Sequence, residues 1–180
     1  MEDFNKEEVV VLVDEENNVL GYLGKLEAHK KGLLHRAISV IIYNSKGEQL
    51  IQKRALNKYH WAGIWSNTCC SHPRKNETFE QAAVRRLFEE LGIKTELKEA
   101  FCFIYKATDK KSGLTEWEYD TVFTGIYDGE FEFNKDEVAE IKWINTDDLK
   151  NDVRNNPDSY SFWFKIILSE FEKRNLHPLA

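Results

Sequence analysis

A thiol and an imidazole lie two residues apart in this sequence, at Cys70 and His72, within the stretch SNTCCSHP at residues 66–73. The thiolate form of cysteine is the reactive one, and a neighbouring imidazole or other cation lowers the pKa of a thiol. The stretch is rich in small polar residues, so we predict a loop there and not a regular strand or helix. Cys69 is the alternative thiol. Because adjacent residues point in different directions, only one of the two can face a substrate.

Side chains that bind metals are the second chemical feature. Histidine occurs five times, at residues 29, 35, 60, 72 and 177. Glu116 and Glu118 lie two residues apart on a predicted strand, so their side chains share one face. Two carboxylates on one face repel each other, and partial burial increases the repulsion unless a cation or a proton lies between them. The alternative interpretation is an exposed strand face.

The elements that position these residues follow from hydrophobic periodicity and turn signals. A helix is predicted over residues 78–91. Thr78 can cap its first turn, Gln81 completes a capping box, and Gly92 stands at its C-terminal end. A second helix is predicted over residues 161–174 from its spacing of apolar residues. Strands are predicted at residues 8–13, 19–23, 37–43, 49–52, 97–105, 118–127 and 138–144. This order predicts one α/β domain with a mixed sheet flanked by helices.

The first of these helices carries an arginine and a glutamate one turn apart. At about 100° per residue, Val84, Phe88 and Leu91 form the predicted core stripe. Arg86 and Glu90 then lie together on the opposite, polar side. The alternative is an ordinary ion pair on a solvated helix face, worth roughly a few tenths of a kcal/mol.

Composition restricts the class of protein. A chain of 180 residues with 42% hydrophobic content is long enough for one buried core. The net charge of −6 argues against nucleic-acid binding, so an anionic ligand must be met by a local cluster of basic groups. No apolar run approaches the roughly 20 residues of a membrane span, and the first residues do not resemble a signal peptide. Three cysteines make a poor disulfide framework, so we expect a cytoplasmic protein without membrane or nucleic-acid partners.

The segment around the predicted helix resembles the Nudix signature, in which a glycine, a glutamate and the run Arg-Glu-apolar-x-Glu-Glu-x-Gly-apolar build a loop and a helix. The matching positions are Glu77, Arg85, Leu87, Glu89, Glu90, Gly92 and Ile93. Two positions depart from the signature, because Ser71 replaces the glycine and Arg86 replaces the first glutamate of the helix. Together with the thiol and the metal-binding side chains, the chain resembles the type I isopentenyl-diphosphate delta-isomerases of the Nudix superfamily.

This resemblance implies a single α/β (α+β) domain over residues 1–180, with its core at about 9–172 and a Nudix-like mixed sheet sandwiched between helices. It implies an enzyme that interconverts isopentenyl and dimethylallyl diphosphate through a tertiary carbocation, in isoprenoid biosynthesis. We expect it to act on this small prenyl diphosphate as a monomer or weak dimer. The alternatives are a Nudix diphosphate hydrolase, which Arg86 disfavours, and a non-catalytic module that binds prenyl diphosphates.

The resemblance also implies a catalytic pair, Cys70 and Glu118, on opposite faces of the reacting double bond. Glu118 is interpreted as the proton donor and Cys70 as the thiolate base, with the roles exchanged in the reverse direction; the residues themselves leave this assignment open. The Cys-x-His spacing of the family selects Cys70 and leaves Cys69 to packing. Arg86 exchanges a metal ligand for a fixed cation that can bind phosphate oxygens, which suits a site that holds a diphosphate without cutting it.

The remaining roles are carried over in the same way. The diphosphate is expected to contact Lys25, Arg54, Lys58 and Arg86, and its Mg²⁺ is expected to be bound by Glu90. A second divalent ion, Mn²⁺, Mg²⁺ or Zn²⁺, is expected to be bound by His29, His35, His72, Glu116 and Glu118. The carbocation is expected to lie against the aromatic rings of Tyr105, Trp163 and Trp61, although Trp163 alone would also suit a core position. His60 is interpreted as structural or peripheral, and Cys102 as a buried strand residue.

Overall fold

The computed structural model describes residues 8–58 and 60–176. Within these residues, nine strands form one sheet with four α-helices around it. In chain order the elements are β1 (Val9–Val13), β2 (Val19–Gly24), α1 (Lys25–Lys31), β3 (Leu34–Tyr43), β4 (Glu48–Arg54), β5 (Trp65–Ser66), β6 (Cys69–Ser71), α2 (Phe79–Leu91), β7 (Lys98–Thr108), β8 (Thr115–Ile126), β9 (Val138–Asn145), α3 (Thr146–Asn155) and α4 (Phe162–Lys173). Every predicted strand and both predicted helices are present, with ends shifted by a few residues.

Strand β3 is the centre of the sheet. It runs parallel to β8 and pairs antiparallel with β1 and β6. Its sequence, LHRAISVIIY, is apolar almost throughout, which is typical of a strand with a parallel neighbour and both faces buried. Strand β4 pairs with β9 on one side, and β7 pairs with β8 on the other. The predicted mixed sheet is therefore confirmed.

Helices cover both faces of this sheet. Because side chains alternate along a strand, Ile41 of β3 packs with Phe164 and Ile167 of α4, whereas Val40 packs with Leu87 of α2. All five of these side chains are buried. Burying a large aliphatic or aromatic side chain contributes about 1.5–3 kcal/mol. The two apolar layers fix α2 and α4 against opposite faces.

The capping of α2 agrees with the sequence. The Thr78 side chain accepts from the Gln81 backbone N–H at 3.1 Å, and the Thr78 N–H donates to the Gln81 side chain at 3.0 Å. Gly92 ends the helix with φ 64°, and a Cβ there would lie 3.0 Å from the Glu132 carbonyl oxygen. A side chain at position 92 would meet both the unfavourable φ and this contact.

We expect Thr78→Ala to lower the free energy of unfolding by about 1 kcal/mol, because the first turn of α2 loses a side-chain acceptor. Urea denaturation measures the change. Thr78→Ser keeps the hydroxyl and is the matched control. Equal stability of the alanine and serine variants would contradict a role for the cap.

The predicted core stripe of α2 is wrong at two of its three positions. Val84 and Phe88 are 43% and 49% exposed, whereas Leu91 is buried as predicted, together with Leu87 and Glu90. Both sets of positions have helical spacing, and packing against β6 and β3 selects the buried one. Glu90 consequently faces inwards, while Arg86 lies beside it as predicted and donates to it at 2.6 Å.

Three further expectations differ from the structure. The stretch predicted as a loop contains β6, whose Cys70 pairs with Ser39 of β3. Cys102, expected to be buried, is exposed on β7, because it lies on the face of that strand that α4 does not cover. Helices α1 and α3 were not predicted, since α1 is short and has no side-chain cap at its N-terminus. Among the described residues, no helix has the length and apolar character needed to span a membrane.

Candidate active site

A cavity of about 80 Å³ is lined by residues of β3, β4, β6 and β8, among others. Most of the sequence-predicted site residues line it. These are Lys25, Arg54, Lys58, Cys70, His72, Arg86, Tyr105, Glu116, Glu118 and Trp163. Ser39, His60 and Ser71, which were not predicted, line it as well. A larger groove of about 430 Å³ beside α4 contains none of these side chains.

Strand β8 brings three carboxyl groups to one face. Glu116, Glu118 and Asp120 alternate along it and are 4%, 5% and 1% exposed. The Ser39 hydroxyl donates to Asp120 at 2.7 Å. Burial and the neighbouring Glu118 hold the pKa of Asp120 well above its usual value. Asp120 was missed in the sequence, although the period-two spacing after Glu116 and Glu118 pointed to it.

Three imidazoles converge on Glu118 from α1, β3 and the segment after β6. His29 Nε2 lies 3.2 Å from His35 Nε2, and His72 Nε2 lies 2.9 Å from Glu118 Oε1. His35 Nε2 is 3.4 Å from the same oxygen. His35 Nδ1 lies 2.8 Å from the Leu33 carbonyl, so this nitrogen carries a proton and Nε2 is directed at the cluster.

The charge states of the cluster suit metal binding. Burial, together with the neighbouring His72 and His35, lowers the pKa of His29 to about 2. Burial also lowers the pKa of His72. Burial alone would raise the pKa of Glu118, but hydrogen bonds from His35 and His72 outweigh it and hold that pKa well below its usual value. Neutral imidazoles and ionised carboxylates are the forms that bind a cation.

The spacing of the donor atoms also fits a divalent ion. Ligand atoms about 2.0–2.2 Å from a six-coordinate ion lie about 2.8–3.1 Å from their neighbours. The contacts of His29 with His35 and of Glu118 with His72 fall close to this range. The donor atoms of His29, His35, His72 and Glu118 all lie within 4.8 Å of one another. The residues present therefore fit a buried divalent cation.

His60 lies inside this region, so of the two interpretations from sequence, structural or peripheral, the peripheral one is wrong. Its ring is 5% exposed, and its Nε2 is 2.6 Å from Glu116 Oε1. His29, His60 and Glu116 form a second group whose possible ligand atoms lie within 4.8 Å of one another. In the sequence, only the scarcity of histidine indicated that His60 could lie in the same cluster as the other histidines.

The two adjacent thiols face opposite sides of β6. Cys69 is fully buried in the apolar layer against α2, whereas Cys70 is half-buried and lines the cavity. Arg54 Nη1 lies 3.6 Å from Cys70 Sγ. Burial raises the pKa of Cys70 to about 12, although Arg54 acts in the opposite direction. The cation beside the thiol is thus Arg54, while His72 is directed at Glu118.

Two of the basic residues at the cavity, Arg86 and Lys58, are held by carboxylates. Arg86 donates to Glu90 at 2.6 Å and lies 3.5 Å from Glu137. Lys58 donates to Glu137 as well. The Nε of Arg86 is buried without a hydrogen-bond partner among the described residues, and such a donor suits an anionic ligand. Glu137 was missed in the sequence, where its spacing gave no signal.

Aromatic side chains complete the wall. The Tyr105 hydroxyl lies 2.6 Å from Glu118 Oε2 and 3.0 Å from Glu116 Oε2. The Trp163 indole N–H donates to Asn67 at 3.1 Å, and its ring meets that of Trp61 edge to face at 5.9 Å. Trp163 thus belongs both to the core and to the cavity.

The fold has well-defined relatives. A model of the NUDIX domain matches residues 33–164. DR0079 from Deinococcus radiodurans superposes with a TM-score of 0.68 at 18% identity, covering 83% of this chain and 90% of that one. The MutT protein from Methanosarcina mazei superposes with a TM-score of 0.66 at 20% identity, covering 79% and 96%. The fold and the α2 signature define a Nudix protein.

Proteins with similar sequences identify the family within the Nudix proteins. Isopentenyl-diphosphate Delta-isomerase 2 of Aromatoleum aromaticum is 50% identical over 90% of this chain and 85% of its own length. The enzyme of the same name from Photorhabdus laumondii is 48% identical over 91% and 92%. The isopentenyl-diphosphate Delta-isomerase of Serratia proteamaculans is 38% identical over 97% of both chains. The chain belongs to the isopentenyl-diphosphate Delta-isomerase family.

Proposed function

We propose that this protein interconverts isopentenyl and dimethylallyl diphosphate by adding and removing protons, through a tertiary carbocation, in isoprenoid biosynthesis. The observation that carries the proposal is the presence of Cys70 and Glu118 on the wall of one small cavity, beside Arg86 and Lys58. A proton donor, a proton acceptor and an anion-binding group are what the reaction requires.

The charge states support one assignment of the acid and the base. The thiol of Cys70 carries its proton, since burial raises its pKa to about 12, and the pKa of Glu118 is held well below its usual value by His35 and His72 after burial has acted against it. Cys70 Sγ then gives its proton to the terminal alkene carbon, and Glu118 takes the proton from C2. The reverse reaction uses the same two groups in opposite roles. This assignment reverses the one preferred from sequence.

The proton acceptor is held by a third group. The Tyr105 hydroxyl contacts both carboxylates, so it fixes the orientation of Glu118 Oε2 and can relay a proton from it. The rings of Tyr105 and Trp163 face the cavity, where they exclude water and attract a carbocation by roughly 0.5–2 kcal/mol. Water in the same place would capture the cation as an alcohol.

Two kinds of divalent ion are part of the proposal. His29, His35, His72, Glu116 and Glu118 hold one ion, Mn²⁺, Mg²⁺ or Zn²⁺, and Glu90 holds Mg²⁺ that accompanies the diphosphate. When bound, these ions supply positive charge that offsets the buried carboxylates and the phosphate oxygens. The protein itself contributes the cations of Lys25, Arg54, Lys58 and Arg86. We also propose a cytoplasmic monomer or weak dimer, in keeping with three free cysteines.

Proton NMR of isopentenyl diphosphate with the enzyme and Mg²⁺ in D₂O tests the proposal. Appearance of deuterated dimethylallyl diphosphate is the expected result. Release of inorganic phosphate without isomerisation would establish the hydrolase alternative. Binding of the substrate without deuterium incorporation would establish the non-catalytic module.

Arg86→Ala is expected to weaken binding of the diphosphate by about 1.5–3 kcal/mol, the contribution of a charge-assisted hydrogen bond. Calorimetric titration with inorganic pyrophosphate, which has no alkene and cannot be isomerised, measures it. Arg85→Ala is the matched control, because Arg85 is committed to Glu77 at 2.7 Å and does not line the cavity. Unchanged affinity in Arg86→Ala would reduce Arg86 to an ion-pair partner of Glu90.

A further inference from the structure

His60 is buried on a loop whose neighbours are exposed. Leu56 is 79% exposed and Ala62 is exposed, while the His60 ring is 5% exposed. Its Nε2 points to Glu116 Oε1 at 2.6 Å, and its ring meets that of His29 edge to face at 5.0 Å. A loop histidine that is turned inwards in this way needs a partner that offsets the free-energy cost of removing its ring from water.

The surrounding structure holds His60 in this position. Arg54 donates from Nη2 to the His60 carbonyl at 3.3 Å and from Nε to the Trp61 carbonyl at 3.0 Å. Trp61 has φ 52°, a left-handed conformation that bulky residues adopt only where neighbouring contacts impose it. Its ring packs against Trp163. Arg54, Trp61 and Trp163 thus hold His60 in its inward direction.

Two groups of possible ligands share one residue. His29, His35, His72 and Glu118 form the first, and His29, His60 and Glu116 form the second. A neutral imidazole offers one lone pair, so His29 can bind only one ion at a time. A single centre that joined the two groups would have four imidazoles and two carboxylates, which are six donor groups.

We propose that His60 is the sixth protein ligand of this centre and that it closes the coordination sphere of the ion to water. The inference deepens the proposed function, on which it rests. An ion with six protein ligands cannot activate a water molecule for attack on the diphosphate, which favours isomerisation over hydrolysis. Four imidazoles also favour a transition metal over Mg²⁺.

The competing interpretation is that His60 only orients Glu116 through a hydrogen bond. Tyr105 provides the matched comparison, because its hydroxyl contacts the other oxygen of the same carboxylate at 3.0 Å. Tyr105→Phe removes that contact without removing a donor nitrogen from the centre. Removing a metal ligand and removing a residue that only positions a ligand are therefore expected to give different results.

The experiment uses Mn²⁺ with the full-length protein and no substrate. Water proton relaxation counts water molecules bound directly to the ion, and titration gives the affinity. We expect weak relaxation enhancement for the wild type and an enhancement several-fold larger for His60→Ala, with Mn²⁺ affinity at least about tenfold lower. Tyr105→Phe should lower affinity without raising the enhancement. His60→Gln, which preserves bulk, replaces His60→Ala if circular dichroism shows that the alanine variant is unfolded.

Equal enhancement in the wild type and both His60 variants would overturn the proposal, as would matching behaviour of Tyr105→Phe and the His60 variants. In either case Mn²⁺ binding and deuterium incorporation by the wild type would leave the proposed function intact. Wild-type protein that binds no Mn²⁺ and incorporates no deuterium would instead refute the proposed function itself.

Discussion

Cys70→Ala is expected to lower the rate of isomerisation by about 10²–10⁴-fold, because the variant lacks the thiol that exchanges a proton with the substrate. The side chain is half-buried, and its sulfur contacts Arg54 at 3.6 Å, so its loss leaves the apolar layers intact. Deuterium incorporation into dimethylallyl diphosphate measures the rate. Calorimetric titration with pyrophosphate is expected to show nearly unchanged binding.

Cys69→Ala is the matched control for this variant, since it removes the neighbouring sulfur from the other side of β6. Cys69 is fully buried beside Leu87 and Leu91. We therefore expect it to lose stability while it retains substantial activity. An active Cys70→Ala enzyme beside an inactive, stable Cys69→Ala enzyme would show that the two thiols have been assigned the wrong way round.

Glu118→Gln is expected to lose both isomerisation and the ion at the histidine cluster. The amide carries no negative charge, and two imidazoles, His35 and His72, lie within 3.4 Å of the carboxylate oxygen that it replaces. Without that charge the cluster becomes a weaker cation site. The metal content of the purified variant, measured by elemental analysis, is the direct readout, and deuterium incorporation is the second.

Asp120→Asn is the control for this prediction, because Asp120 lies on the same buried face of β8. Burial and the charge of Glu118 hold the pKa of Asp120 well above its usual value, so the substitution of an amide changes little of its charge. We expect this variant to keep its metal. Full metal content with no activity in Glu118→Gln would separate proton transfer from metal binding and contradict the dual role.

Local signals in the sequence were sufficient for most elements of the fold. Thr78, Gln81 and Gly92 mark the ends of α2 because capping depends on contacts within a few residues. The buried side of the same helix was predicted correctly only at Leu91, since Val84 and Phe88 have the same spacing as the residues that are buried. Only the packing of α2 against the sheet distinguishes the two faces, and that packing joins residues distant in sequence.

In the candidate site, too, local features were predictable from the sequence and contacts between distant residues were not. The alternation of Glu116 and Glu118 is a local property of a strand, so their common face was predictable. The residues that contact these carboxylates could not be predicted in this way. His60 lies 56 positions before Glu116, on a loop whose path depends on Arg54 and on the left-handed Trp61. Strand β6 was missed for a similar reason, because its pairing with β3 outweighs the weak strand propensity of its small polar residues.

In the proposed function, the metal-binding carboxylates of β8 would link the stability of the fold to the supply of metal. Glu116 and Glu118 are solvated in the unfolded chain and buried in the folded one, so an ion that binds only the folded state would shift the folding equilibrium by mass action. At a free-ion concentration one hundred times its dissociation constant, this linkage amounts to about 2.7 kcal/mol. A cell short of that metal would then hold less folded protein. Both the amount of the enzyme and its activity would depend on the concentration of the free metal.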